Sequence, residues 1–407
     1  MTTAPSRRAL EIFDPTHRPN PYPLYAAVRE AGPVHPMGPR IHLASRHADC
    51  NKILSDPLWG HGYGDRISPF RPGVGREEVP GSLLGMDPPD HTRLHRLISK
   101  VFKPARIESL RARVEQIVDR LLDAALEAGE VDLVDAFTSP LPLTLVCELI
   151  GVPTADMPLF RKWSTAIVRG VDPDYLLSPR EITARYEAEA AFEEYFKALA
   201  EDRRAHHRGD LLSDLVAARE NNDILSDHEL HEIGAMLMVA GHETTVNALG
   251  ALMIALHRNP RQRALVTADP GLVPATVEEA LRHDAPIQFT SRVALEEREF
   301  AGRTFARGDG IILMVGAANR DPAAFPDPET FDVTRYVDRP PGAPRHLTFS
   351  NGPHRCLGAQ LARMEMQVAL RALLARAPRL ELLTDEPPYR DLYLFRGPLR
   401  LPVRMRP

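Results

Sequence analysis

Cysteine is scarce in this chain: 407 residues hold three, Cys50, Cys147 and Cys356, far apart. Three scattered thiols make no disulfide framework, and they suit a reducing cytoplasm. Long apolar runs are missing too. The longest candidate, Ile233 to Gly241, is about half of the ~20 residues a membrane helix needs, and Met1 to Leu10 has no apolar centre of the signal-peptide kind. A soluble, cytoplasmic protein with no membrane association is predicted. Positive charge is not in excess, since the net charge is −5. Nucleic acid is therefore not an expected partner, because phosphate binding needs a concentrated basic face. Internal repeats, low-complexity tracts and Gly/Ser linkers are absent as well. Length alone would allow two or three small domains, but nothing divides the chain, and one domain over residues 1–407 is expected.

Hydrophobic residues make up 43% and charged residues 26%, which is ordinary for a globular protein with a substantial core. Proline is abundant at 38 residues, and with so much apolar sequence around it this signals helix ends and fixed loops. Helical periodicity dominates. From Pro104 to Gly129 apolar residues fall three or four apart (Ile107, Leu110, Val114, Ile117, Leu121), closed by Gly129. Arg180 to Arg203 follows the same period with more charge and reads as a surface helix. Strand-like sequence is scarcer and concentrates near Phe289–Leu295 and Gly310–Val315, with a turn at Arg307–Gly310.

The longest helix opens at Ser226, with Glu229 completing a capping-box pattern, and ends before Asn259-Pro260. At 1.5 Å per residue it is on the order of 48 Å long, enough to cross a domain of this size. Its centre, Ile233 to Ala240, is apolar on nearly every face and should be buried all round. The polar cluster Gly241-His242-Glu243-Thr244-Thr245 then follows. Burying such groups is costly unless they are paired or used. His242-Glu243 begins like a zinc-protease helix, but the second histidine would fall at position 246, which is Val246.

Near the end stands Phe349-Ser350-Asn351-Gly352-Pro353-His354-Arg355-Cys356-Leu357-Gly358, followed by an apolar-periodic helix from Ala359. Cys356 thus sits at a helix N-terminus, where free amides and the dipole favour a thiolate. The glycines allow tight turns and close approach of a flat cofactor.

This segment resembles the haem-binding loop of cytochromes P450 at every fixed position, with His354 as the basic residue, and the likeness runs from Pro19-Asn20-Pro21-Tyr22 to the Phe395 region. The resemblance implies a mainly α fold with a small β region, shaped like a triangular prism, with haem b (iron protoporphyrin IX) between the central helix and the helix after the cysteine. It implies Cys356 as the thiolate ligand to iron, which favours O–O cleavage. Ala240-Gly241-His242-Glu243-Thr244-Thr245 is similar to the family's oxygen-binding stretch. Glu243 and Thr244 would then relay protons, Thr244 would bond back to the Ala240 carbonyl and open the helix locally, and Gly241 would leave room for a diatomic ligand. Glu279 and Arg282, with Arg335, resemble the family's buried structural network. His91, His95, Arg292 and His354 match the contacts to the haem propionates; His95 stands where an arginine is common, and the neighbouring Arg96 could compensate.

A substrate pocket is expected from Leu58–Leu84, Trp163–Leu177, Met236, Val239, Ala240, Ile287, Gln288 and Leu392–Phe395, Leu394 included; Gln288 could bond a substrate oxygen. The family likeness implies a monooxygenase that uses O2 and two electrons on a small, mostly apolar molecule, in the setting of secondary metabolism. Ferredoxin and ferredoxin reductase would supply the electrons at a basic patch of Lys103, Arg106, Arg345, Arg355 and Arg363, and the protein would be a monomer. A peroxide-using haem-thiolate enzyme and a non-catalytic sensor are the rival readings, and an acid–threonine pair facing a pocket argues against both.

Overall fold

The computed structural model describes residues 7–75, 82–100, 102–170, 172, 177–217, 219–220 and 223–406. Its architecture is mainly helical with a small β region. The central helix spans Asp227–Arg258, 32 residues. Its start is the capping box read in the sequence: the Glu229 amide donates to Ser226 Oγ at 3.2 Å, and the Ser226 amide donates back to the Glu229 carboxylate at 2.8 Å. At the far end Asn259 Nδ2 donates to the Ala255 carbonyl at 2.9 Å, satisfying one of the last-turn acceptors before Pro260.

Two apolar clusters divide this helix between them. Its N-terminal half (Leu230, Ile233, Met236, Met238) packs with Leu94, Phe160, Phe192 and Phe196. Its C-terminal half (Val246, Leu249, Leu252, Met253, Leu256) packs with Ile117, Leu122, Val277, Leu281 and Leu370. Each such side chain contributes roughly 1.5–3 kcal/mol when fully buried, so the helix is fixed as the axis around which the others stack. Among the described residues no helix is long and apolar enough to cross a membrane.

Two helical segments differ from the sequence reading. Pro104 to Gly129 is not one helix but Pro104–Ser109 and Arg111–Ala128. At the junction Ser109 Oγ donates to the Arg106 carbonyl at 2.7 Å, the kind of local bond with which serine competes against a helix. The charged Arg180 segment lies within a helix at Pro179–Ala205 whose inner face buries Ala188, Phe192, Phe196 and Ala200.

One sheet has five strands, β1 (Val34–Gly38), β2 (Ile41–Ala44), β3 (Trp59–Gly60), β4 (Phe289–Ala294) and β5 (Gly310–Met314), in the order β1-β2-β5-β4-β3. The two segments with strand-like sequence are β4 and β5, paired antiparallel from Gly310 opposite Val293 to Met314 opposite Phe289. A hairpin of Arg298–Phe300 and Arg303–Phe305, which the pattern did not announce, fills the connection, and the turn at Gly308 uses a φ of +87°.

Candidate active site

The cysteine loop is moulded on the helix His47–Ser55. Gly352 has a φ of +70°, and a Cβ there would stand 2.2 Å from the Leu54 carbonyl oxygen. Glycine is thus demanded by the loop's seat on that helix and by its left-handed backbone. Asn351 Nδ2 donates to Asn51 Oδ1 at 2.8 Å and to Ser55 Oγ at 3.0 Å, and the Cys356 amide donates to the Phe349 carbonyl at 2.9 Å. The Cys356 side chain is exposed to a large internal cavity while buried from the outer surface. Burial pushes its thiol up; the amides of Gly358 and Ala359 and the charges of Arg363 and Arg355 pull it down, and burial prevails. The helix N-terminus alone therefore does not make a thiolate here. A bound metal cation would, because its charge inverts that balance.

The cavity encloses about 1420 Å³, more than the ~300–1,000 Å³ of an ordinary small-molecule pocket. Cys356 and the following helix, Ala359–Arg376, form one wall; Ala240, Gly241, Thr244 and Ala248 of the central helix line it as well. His91, His95, Arg292 and His354 all reach it. The ring of His354 lies 4.0 Å from that of His91, and His91 lies 5.3 Å from His95. Arg96 sits on the exposed face of its helix and does not line the cavity, so it does not stand in for His95.

A fourth imidazole completes the cluster. His61, 4.7 Å from His354, was covered only by the broad Leu58–Leu84 stretch. Its amide and that of Gly62 each donate to the Asp87 carboxylate at 2.8 Å, pairings across 26 and 25 residues that no local pattern reveals. Burial, then mutual repulsion with Arg292 and the neighbouring rings, lowers the cluster's affinity for protons: His91 falls to about 4, His354 to about 2, and His61 well below its usual range. Burial lowers Arg292 to about 10. His61 Nε2 and His91 Nδ1 are buried with no hydrogen-bond partner, and the Arg292 guanidinium donates to Ser291 O and, more weakly, Thr290 Oγ1. Orphaned donors around a cavity are costly unless a ligand meets them. Two carboxylates would.

On the central helix the polar cluster separates. Thr244 Oγ1 donates to the Ala240 carbonyl at 2.7 Å and the residue lines the cavity, yet the helix stays continuous and does not open. Glu243 is not part of the lining. Adjacent helical residues point about 100° apart, and its carboxylate lies behind the wall, 2.8 Å from Arg390 Nη1. The acid–threonine pair therefore does not face the pocket together. His242 is held between Ser139 Oγ (3.3 Å) and Ser164 Oγ (3.2 Å). Gly241 serves helix packing, since a Cβ there would meet Val146 Cγ2 at 2.9 Å.

Met236, Val239, Ala240, Ile287 and Leu394 line the cavity, with His61, Tyr63, Phe70, Leu83, Ile167, Phe289 and Phe395. Gln288 does not. Strand alternation turns it away from Ile287 and Phe289, and its Nε2 donates to the Ala285 carbonyl at 2.6 Å, with Gly316 leaving room for the amide. Trp163 is likewise occupied elsewhere, packed tilted or edge-on against Phe160, Phe192 and Tyr195. Within the two long pocket stretches, residues 76–81, 171 and 173–176 lie outside the described residues.

The helix Val273–His283 bears two adjacent acids with different tasks. Glu279 chelates Arg282 at 2.7 and 2.8 Å, takes Arg335 at 3.1 Å, and accepts the Asp332 amide at 2.9 Å. Arg282 also donates to the carbonyls of Asn319, Pro328 and Thr330. Glu278 faces the cysteine helix, bonding Arg363 at 2.5 and 2.9 Å and His346 at 3.2 Å; despite its burial these partners hold its carboxyl down to about 2. Arg363 is thereby neutralised, and Arg106 pairs with Asp214 at 3.2 Å. Of the five cations expected to form a basic patch, Lys103, Arg345 and Arg355 remain as exposed residues.

Glu365, on the cysteine helix and lining the cavity, carries no motif and was missed. Burial raises its carboxyl to about 8, and its Oε2 meets no partner. The fold therefore holds this acid protonated at neutral pH, whereas the unfolded chain releases the proton near its ordinary value of 4.5. Between those values the native state binds more protons, so its contribution is complete below the lower value and fades as pH rises through the upper. Glu365→Gln should remove that slope. Denaturant midpoints at about pH 5 and pH 8 check it: parallel pH slopes in the variant and the parent protein would defeat the assignment.

A thiol aimed into a cavity too large for one small molecule, rimmed by imidazoles and a guanidinium, fits an iron porphyrin with its two carboxylates. That combination defines the class, a haem-thiolate protein. Comparison with known proteins carries it further. The family model described as Cytochrome P450 matches residues 171–269 and 271–388. The chain is 38% identical to Cytochrome P450 107B1 of Saccharopolyspora erythraea, covering 97% of each, and 39% identical to mycinamicin IV hydroxylase/epoxidase of Micromonospora griseorubida, covering 93% of this chain and 94% of that protein. It superimposes on the solved structure of the cytochrome P450 PksS of Bacillus subtilis with a TM-score of 0.87 at 34% identity, over 97% and 99% of the two chains. The chain belongs to the cytochrome P450 family. It is a haem-thiolate monooxygenase that acts on a small molecule with electrons from a redox partner.

Proposed function

We propose that residues 1–407 form one catalytic domain, holding haem b through Cys356, that oxygenates a mostly apolar molecule of secondary metabolism, with electrons from a ferredoxin and its reductase. The observation that carries this reading is the placement of the Cys356 thiol and the Thr244 hydroxyl on the walls of one cavity rimmed by four imidazoles and the Arg292 guanidinium. When bound, the haem supplies the two-electron reduction of O2 and the insertion of one oxygen atom. His61, His91, His95, Arg292 and His354 would hold its two carboxylates, and the Gly358 and Ala359 amides would steady the sulfur. Met236, Val239, Ala240, Ile287, Phe289 and Leu394 offer the substrate an apolar surface. The Thr244 hydroxyl, tethered to the Ala240 carbonyl, keeps its oxygen free to accept, and so can hold a water at the cavity wall, and that water can pass a proton inward. Glu243 supplies that route from behind the wall, on release from Arg390. Lys103, Arg345 and Arg355 offer charge to an acidic ferredoxin; the short helix carrying Arg106 and following Lys103 packs on the cysteine helix.

A turnover assay with ferredoxin, its reductase and a substrate found by its shift of the haem absorption band tests these roles together. Thr244→Ala should keep electron consumption but divert most of it from product to peroxide, and consumption by the parent protein should slow as salt is raised, through screening of the docking charges. An unchanged ratio of product to electrons in the variant would remove Thr244 from the proton route, and rates indifferent to salt would remove the basic face.

A further inference from the structure

The first turns of the central helix carry His228, His231 and Glu232. Their spacing, three and four residues, sets them on one helix face. One donor atom from each lies within 4.8 Å of the others, and among the described residues this is the one group of three such side chains so arranged. All three line the large cavity, as do Glu189 and Glu193 from the facing helix Pro179–Ala205, which packs on the central helix. His231 is largely buried beside Phe192, their rings 5.8 Å apart. Its Nδ1 stands 3.5 Å from Glu232 Oε1, while its Nε2 is buried without a hydrogen-bond partner. A buried imidazole nitrogen left so is costly unless something meets it. His228 is exposed, so an ion can reach the group from solvent.

We propose that His228, His231 and Glu232 form a binding site for a divalent transition-metal ion of the zinc class, separate from the haem site. Two imidazoles and one carboxylate suit zinc, which takes such ligands at about 2.0–2.2 Å and so holds them about 3.4 Å apart. From separations of at most 4.8 Å, side-chain rotation of about an ångström closes the site with the helix backbone fixed. Calcium and magnesium prefer an all-oxygen shell, which this set does not offer. The helix N-terminus opposes a cation. Glu232, with Glu193 across the cavity, counters it, while Glu189 stands 3.9 Å from Arg185, and Asp227 and Glu229 are engaged by Arg204 and Arg93. The fourth position is left to water or to Glu193, and a carboxylate there would tie the two helices together across the cavity. Surface pairs such as His206 with Asp202 and His207 with Asp214 bring one histidine and one acid each and lack the third ligand.

The test is calorimetric titration of Zn2+ into the chelator-stripped, haem-loaded protein at neutral pH, with His228→Gln, His231→Gln and the double variant in parallel. One ion per chain is expected in the parent protein, about tenfold or more weaker binding in either single variant, and none at that site in the double variant. His228 lies on the exposed surface, so its replacement leaves a folded protein even if that of His231 does not, and the haem spectrum reports the fold of each. Failure of the parent protein to take up zinc, or equal stoichiometry and affinity in folded His228→Gln, overturns the proposal; the latter would place the ion elsewhere on the surface.

Discussion

Cys356→Ala should leave a folded protein without monooxygenase activity. The sulfur is held by its loop, not the reverse: the Cys356 amide bonds to Phe349, Asn351 bonds to Asn51 and Ser55, and Gly352 is pressed on Leu54. Loss of one side chain facing a cavity removes no packing partner from those contacts, so the thermal midpoint of the haem-free protein should move little. The chemistry should change completely. Among the described residues the other two cysteines, Cys50 and Cys147, are buried in apolar surroundings that push their thiols up, to about 12 for Cys147, and neither lines the cavity. Neither can substitute. The measurement is the absorption of the reduced protein with carbon monoxide: the parent protein should show the band diagnostic of thiolate ligation, and the variant should not. A Cys356→Ala protein that kept that band would end the assignment.

Glu279→Ala should have the largest effect on stability. Both partners in the Glu279–Arg282 pair are fully buried, and Arg335 is nearly so. Removing the acid leaves two guanidinium groups without their counter-charge. Breaking a buried pair in this way costs about 3–5 kcal/mol, out of a total stability of about 5–15 kcal/mol for a typical protein. The carbonyls of Asn319, Pro328 and Thr330 would keep solvating Arg282, which sets the lower end of that range. Glu279 also fixes the Asp332 amide, so the segment that follows should loosen. Arg335→Lys keeps one charge and should cost less than Glu279→Ala. Urea unfolding followed by far-ultraviolet circular dichroism and by haem release would rank the two. Equal midpoints for Glu279→Ala and the parent protein would show that the network does not hold the fold.

Much of this architecture can be read from local order. A capping box and a proline mark the two ends of the central helix, because both act through neighbours within one turn. The cysteine loop is legible because its glycines, proline and basic residue are consecutive. Glu279 and Arg282 are legible because a spacing of three faces them toward each other. The Ser109 break was not, since a serine hydroxyl choosing a nearby carbonyl leaves the apolar period of Pro104 to Gly129 intact.

Facing was decided by the tertiary structure alone. Glu243 and Thr244 are neighbours in sequence, and only the position of Arg390 and of the cavity shows that one is buried in an ion pair and the other borders the site. Gln288 looked available in a strand-edge segment until β4 and β5 fixed which residues turn inward. His61, Asp87, Glu365 and the partners of Arg363 and Arg106 belong to contacts between segments tens to hundreds of residues apart. Local sequence order therefore sets the helical frame, the cysteine proposed as iron ligand and the chemistry that proposal implies, because each rests on residues within a turn or a loop of one another. The cavity's lining, the fourfold imidazole rim and the protonation of Glu365 were decided by packing, because burial and distance in space set them and neither is a property of neighbouring residues.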